Sequence, residues 1–220
     1  MADSMFAALE TKPRRAWLFG ISCCGGCALF LVLGLVFVVL AAPHQYYVPS
    51  GSMEPTLHGG DAVAGDHIVT SSWDYRLHSP RRGDIVVFLA PAQADAENIA
   101  QNLPPRELTH TKRIVGIPGD TIIIKEEPAK GKDSEPTYCV WRNGARIAEP
   151  YIKEPMEAVS AVAIYGIDKP LKLGHDEYFV MGDNRNDSND SRYWGPLERS
   201  RIQGRVTAIV APRERARQFP

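Results

Sequence analysis

Cysteine is scarce in this chain. Of its four cysteines, Cys23, Cys24 and Cys27 fall in one apolar run, and only Cys139 lies outside it. No disulfide can form within the larger part of the chain, so its fold must rest on packing. Metal-ligand spacing is also missing. The six histidines show none, and Cys23-Cys24-x-x-Cys27 lacks a polar surround and a second ligand pair. That trio reads as small packing residues in a membrane span, and neither metal nor cofactor is expected. Net charge is −1, so nothing points to a nucleic-acid partner. After Pro43 no stretch approaches 18 apolar residues, which leaves room for one membrane span only.

What the chain does have is that one run. No charged residue occurs from Ala16 to Ala42, and roughly 20 apolar residues suffice to cross a bilayer as a helix. Lys12, Arg14 and Arg15 precede the run, and no Lys or Arg follows it until Arg76. The excess of positive charge before the run predicts a cytoplasmic N-terminus, with the rest of the chain across the membrane. Trp17 on one side and Tyr46 and Tyr47 on the other suit interfacial anchors. A cleaved leader is the competing reading. The run is longer than a leader's usual apolar core, and a cut after Ala42 would put Pro43 at the new end. The expected organisation is a cytoplasmic tail at 1–15, an anchor at 16–42 in the lipid bilayer, and a β-rich domain at 43–220.

Within that domain, 17 prolines and 18 glycines across the chain favour short strands over long helices. Asp61–Thr70 reads as a turn then a strand, with Ala62–Ala64 and His67–Val69, and Ile85–Leu89, Thr111–Val115, Thr121–Ile124, Tyr138–Trp141, Arg146–Ala148, Glu177–Met181 and Ile202–Val210 read as strands. Asn143-Gly144 is a two-residue hairpin signal. The segment 90–109 reads as a surface insertion with a short helical turn, 125–136 as a charged hairpin tip within the mixed region 125–175, and Arg213–Arg217 as a solvated end. Short strands between Gly/Asp turns predict an antiparallel, mainly β domain.

The stretch Pro49-Ser50-Gly51-Ser52-Met53-Glu54-Pro55-Thr56-Leu57 follows the apolar run closely. Two prolines fix φ on either side, and Gly51 permits a turn that a side chain would block. The stretch is suited to aim one hydroxyl, that of Ser50 or Ser52. Ser52 stands ten positions after Ala42, a span that extended reaches at most about 35 Å, so this serine is tethered near the outer membrane surface. A serine attacks only when a base takes its proton. No histidine lies in a motif-like context with an acid, which leaves a Ser-His-Asp triad unsupported. A lysine can serve in its place if burial keeps it neutral. In strand alternation Lys112 shares a face with Ile114 and Gly116, which makes it the candidate base. Spacing alone does not overturn the commoner reading, a snorkelling surface lysine.

Three blocks in order behind the span carry a resemblance. They are Pro49–Leu57, His110-Thr111-Lys112-Arg113-Ile114-Val115-Gly116-Ile117-Pro118-Gly119-Asp120, and Gly182-Asp183-Asn184-Arg185-Asn186-Asp187-Ser188-Asn189-Asp190-Ser191-Arg192. Together they resemble the type I signal peptidases, membrane-bound Ser/Lys proteases that free secreted pre-proteins of their leader peptides. The resemblance implies the β-fold of the signal peptidases and self-cleaving repressors. It implies Ser52 as nucleophile and Lys112 as general base. Ser50 and the backbone N–H of Ser52 would form the oxyanion hole, and Ser188 would orient the lysine. Asp190 and Arg192 would be a supporting ion pair, with Asp183 and Arg185 fixing the turn. The substrate would be an extended leader peptide, docked as an added strand and cut after an Ala-x-Ala-like junction. Val48, Pro49, Met53, Leu57 and Thr111 would line its small-residue pockets. A monomer without cofactor is expected. Two rival readings are a processing peptidase of the same clan with a single substrate, and an inactive leader-binding homologue.

Overall fold

The computed structural model describes residues 29–34, 43–95, 108–128, 136–157 and 165–220. The chain divides into two compact units, Met1–Ala42 and Pro43–Pro220. In the first, residues 29–34 are helical, and the rest of the expected anchor lies outside the described residues. Among the described residues no helix is long and apolar enough to cross a membrane.

The second unit is mainly antiparallel β, as the turn spacing predicts. One sheet runs in the order β1 (His44–Tyr47), β2 (His67–Ser71), β11 (Ile202–Ala211), β3 (Ile85–Leu89), β4 (Thr109–Gly116), β9 (Glu177–Met181), β10 (Leu197–Glu198). A short strand, β12 (Arg217–Gln218), pairs with β11. A smaller sheet runs β7 (Ala145–Arg146), β6 (Thr137–Arg142), β5 (Thr121–Glu127), β8 (Leu171–Lys172).

Side-chain alternation sorts the core. In β3, Val86 and Phe88 enter one apolar cluster, and Ile85 and Val87 enter another. Successive residues point to opposite faces, so β3 is buried on both. In β9, Tyr178 and Val180 join the first cluster, while Phe179 and Met181 join a third. That third cluster includes Ile122, Ile124 and Val140 of the smaller sheet. One face of the large sheet thus carries the first cluster. Its other face carries the second cluster near β2 and β11, and the third where the small sheet packs. Burying one such aliphatic side chain fully is worth about 1.5–3 kcal/mol. The Asn143-Gly144 turn has φ of 53° and 83°, the left-handed pair that a two-residue hairpin needs.

Ala62–Ala64 form the expected turn, with Val63 exposed, and the strand follows at His67–Ser71. Two expectations change. Of the segment read as a surface insertion, Ala90 and Ala94 are buried against the first cluster and Thr109 opens β4. Residues 96–107 lie outside the described residues. The C-terminal segment is solvated at Arg213, Glu214, Ala216 and Arg217, as expected, but it is not a loose end. Arg215 pairs with the fully buried Asp66, and Phe219 packs on the second cluster. A string of alternating charges looks like a solvated surface until the buried carboxylate that it serves is seen.

Candidate active site

Ser52 sits in a single 3-10 turn, Gly51–Met53, entered from an extended Ser50 and left through an extended Glu54. Proline after Glu54 holds that exit extended. The turn is closed by the Glu54 N–H donating to Gly51 O at 3.0 Å. Met53 and Leu57 plug into the second cluster and anchor the loop from below.

A second loop grips the turn from the side. The Asn184 N–H donates to Ser52 O at 3.1 Å, and Asn184 Nδ2 donates to Gly51 O at 3.1 Å. Gly182 is what lets the two loops meet. A Cβ there would lie 2.4 Å from Ser52 O and 2.3 Å from Ser188 Oγ, so only glycine fits.

Lys112 reaches the turn from β4. Its Nζ donates to Ser52 Oγ at 2.7 Å and to Thr111 O at 3.2 Å. The side chain is only 4% exposed. Burial pushes its pKa down to about 8, against the pull of Asp190 and, more weakly, of Asp183 and Asp187; Arg192 adds to the lowering. Ser50 Oγ lies 3.3 Å from Ser52 Oγ.

Behind this pair, Arg192 Nε and Nη2 donate to the two oxygens of Asp190, each at 2.8 Å. Both residues are buried. Asp190 also accepts the Gly182 N–H at 3.0 Å. Burial opposes its charge, but Arg192 outweighs that and holds the carboxyl below its ordinary value. Ser188 Oγ is buried against Gly182, close to the Asp190 carboxylate, and makes no well-formed hydrogen bond among the described residues. Asp183 and Arg185 tie in other segments besides their own turn. Asp183 accepts from Arg113 Nε and Nη2 and from Thr56 Oγ1. Arg185 Nε donates to Gly182 O, and its other nitrogens donate to Glu149.

A groove of about 680 Å³ opens over Ser52 and Lys112, lined in part by Val48, Pro49, Ser50, Met53 and Thr111. Leu57 does not line it; the side chain is fully buried in the second cluster. His110 also borders the groove, its Nδ1 without a partner among the described residues. Burial, reinforced by the Lys112 charge, brings its pKa down to about 4 and keeps it neutral. The sequence reading passed over Asn184, although it stands inside the third block. An amide after Gly-Asp signals a turn, but nothing local says whose carbonyls it will meet.

A hydroxyl on a tight turn, in hydrogen-bond contact with a buried amine at the floor of an open groove, has the make-up of a serine hydrolase site. The signal peptidase family, peptidase S26, matches residues 24–211, and the chain belongs to that family. It is a serine peptidase. A probable signal peptidase I-2 of Synechocystis sp. is 34% identical over 197 residues, covering 90% of this chain and 74% of that protein. A signal peptidase I of Leptolyngbya laminosa is 32% identical over 206 residues, covering 94% and 85% respectively. A solved structure, a signal peptidase I from Enterococcus faecalis, aligns with a TM-score of 0.37 at 23% identity. It covers 59% of this chain and 98% of that one, a likeness too slight to carry weight.

Proposed function

We propose that this chain is a membrane-anchored endopeptidase that removes N-terminal signal peptides from secreted pre-proteins, with Ser52 as nucleophile and Lys112 as general base. The observation that carries the reading is the 2.7 Å contact between Lys112 Nζ and Ser52 Oγ at a lysine held 4% exposed. The names of the relatives support the substrate class.

In the neutral form Lys112 accepts the Ser52 proton as Oγ attacks the scissile carbonyl carbon. The carbonyl electron pair moves onto oxygen, where the Ser52 N–H and the Ser50 hydroxyl receive the charge. Donors aimed at such an oxyanion are commonly a large part of the rate. The Lys112 ammonium then gives its proton to the leaving amine as the C–N bond breaks. Water repeats the sequence on the acyl-enzyme, with Lys112 again the base. Asp190 and Arg192 support the wall behind the lysine, and the Ser188 hydroxyl, not bonded to Lys112 in the resting structure, would orient the ammonium once it forms. Val48, Pro49, Met53 and Thr111 favour small side chains beside the cut, which suits an Ala-x-Ala-like junction, while Leu57 supports them from the core. The run 16–42 anchors the chain with its N-terminus in the cytoplasm and holds the site at the outer membrane face. The chain acts as a monomer and uses no cofactor.

The test is cleavage of a pre-protein carrying an Ala-x-Ala junction, in detergent, with folding checked by thermal melting. Wild type should cut after the last Ala, and Ser52→Ala and Lys112→Ala should be folded and inert. Lys112→Arg should also be inert, because a guanidinium stays protonated and accepts nothing. A folded Ser52→Ala enzyme that still cuts would end the proposal.

A further inference from the structure

The loop that carries Ser52 is gripped from a second direction, by residues beyond the stretch that matches the family. That stretch ends at residue 211. Past it the chain turns back through Arg213–Arg215, and β12 pairs with Ala208 and Ile209 of β11. β3 pairs with the earlier part of the same strand, Ile202 to Arg205. Sheet continuity alone would ask no more of this arm than a short edge strand.

Its side chains do more. Arg215 Nε and Nη2 donate to Asp66 Oδ1 and Oδ2 at 2.7 and 2.9 Å. Arg217 Nη2 donates to Thr56 O at 2.6 Å. Phe219 packs on the cluster that holds Val48, Met53 and Leu57, and its N–H donates to Thr207 O at 2.8 Å.

Asp66 is the point where both ends of the Ser52 loop are fastened. Its carbonyl accepts the Val48 N–H at 2.9 Å, just before the loop. Its N–H donates to His58 O at 3.0 Å, and its carboxylate accepts the His58 N–H at 2.8 Å, just after the loop. The nine residues Pro49–Leu57 lie between those two attachments. Asp66 is fully buried. Burial works against its charge, yet Arg215 and the His58 N–H outweigh burial and keep it ionised. Thr56 is held at both of its oxygens: Oγ1 by Asp183 and Arg113, and the carbonyl by Arg217. The arm therefore closes the side of the loop that Asn184 leaves free.

We propose that this C-terminal arm, through Arg215 on Asp66 and Arg217 on Thr56, is a positioning element for the Ser52 loop. The part of the inference that concerns rate rests on the reading of Ser52 as nucleophile. Arg215 and Arg217 touch no reacting atom. They act by fixing where the turn 51–53 stands relative to Lys112. A displacement of about 1 Å in a reacting group can cost on the order of a hundredfold in rate, so a partial loosening is expected to cost about tenfold.

The test uses the full chain in detergent, and Arg217→Ala is the first variant. Arg217 is exposed and leaves no buried charge behind, so its melting temperature should match wild type. Two readouts follow. In hydrogen exchange, the Glu54 and Leu57 amides, which close the turn onto Gly51 O and Met53 O, should exchange about tenfold faster, while amides of β3 and β4 stay unchanged. In pre-protein cleavage, kcat should fall about tenfold with KM unchanged, and Arg217→Lys should recover most of it. Arg215→Lys keeps a cation opposite Asp66 but loses the two-pronged grip, and should act in the same direction. Wild-type exchange at Glu54 and Leu57 in Arg217→Ala overturns the inference, whatever the chain cleaves. So does wild-type kcat in a Ser52-dependent enzyme. A loop that loosens in a chain that cleaves nothing leaves the arm's role standing and removes only the nucleophile reading.

Discussion

Two parts of the β unit bury their residues on opposite terms. The core beneath the small sheet is built of apolar side chains, Val115, Ile122, Ile124, Val140, Met156, Leu173, Phe179 and Met181, with buried charge only at its borders, where Arg192 meets Met156 and Asp120 adjoins Leu173. The ion pair on that sheet, Arg146 with Glu127, stands at its partly exposed rim. Around Ser52 the chain instead buries Asp66, Lys112, Asp183, Arg185, Asp190 and Arg192. Buried charges cost several kcal/mol each to desolvate, and pairing at best offsets that. All but one of the six have an ion-pair partner: Asp66 with Arg215, Asp183 with Arg113, Arg185 with Glu149, Asp190 with Arg192. The exception is Lys112. The stability of the unit thus comes from regions such as the apolar core. The paired charges serve to fix positions, and among the described residues the one of these six without a salt bridge is Lys112, the proposed general base.

The largest effect that tests this contrast is at Lys112. Lys112→Met keeps the volume and removes the amine, so kcat should fall at least about a thousandfold. The melting temperature should hold or rise, because an isolated buried amine adds nothing to stability. A Lys112→Met protein that melts well below wild type would show the amine to be structural. Next is Phe179→Ala, fully buried in the apolar core, which should cost about 3–5 kcal/mol in a denaturant titration. What remains folded should keep its kcat. Loss of kcat without loss of stability would erase the division of labour.

Asp190→Ala should do both kinds of damage. It strands the Arg192 guanidinium in the interior, at about 3–5 kcal/mol, and loosens the wall behind Lys112. Rate and stability measured together separate it from Phe179→Ala.

pH gives a milder test. Burial lowers the Lys112 pKa from 10.5 to about 8. As pH rises through about 8 the neutral form grows, and kcat/KM should climb on that limb. Between about 8 and 10.5 the unfolded chain holds its lysine proton more tightly than the folded one does. The contribution of Lys112 to unfolding free energy should therefore rise with pH across that window. It should be absent in Lys112→Met. The smallest effect is at the partly exposed pair of Glu54 and Lys153. Glu54→Ala should change stability by no more than about 1 kcal/mol, which urea titration would detect as a near-coincident curve.

Much of this arrangement can be read in the chain. Ile85–Leu89 and Glu177–Met181 read as strands because β-branched and aromatic runs end at Gly/Asp turns, and both are strands. The three blocks mark the residues that meet around the groove. Two kinds of residue escaped. Asp66 looks like a turn residue and Arg215 like surface charge, because burial of a carboxylate is decided by segments far apart in sequence. Leu57 reads equally well as pocket lining or core, since both are apolar, and only its neighbours assign it to the core.

The sequence by itself determined the strand alternation, the hairpin at Asn143-Gly144, and a loop whose prolines and Gly51 prepare a tight turn. These are local consequences of allowed φ and of which side chains avoid water. It also placed Lys112 on the same strand face as Ile114. What only the tertiary structure decided is that Ser52 and Lys112, 60 residues apart, come within 2.7 Å. It decided as well that Lys112 loses its water. A lysine's pKa is set by the summed desolvation and charge of everything packed around it, and those neighbours come from β3, β9 and the turn after β9. No stretch of sequence holds that sum.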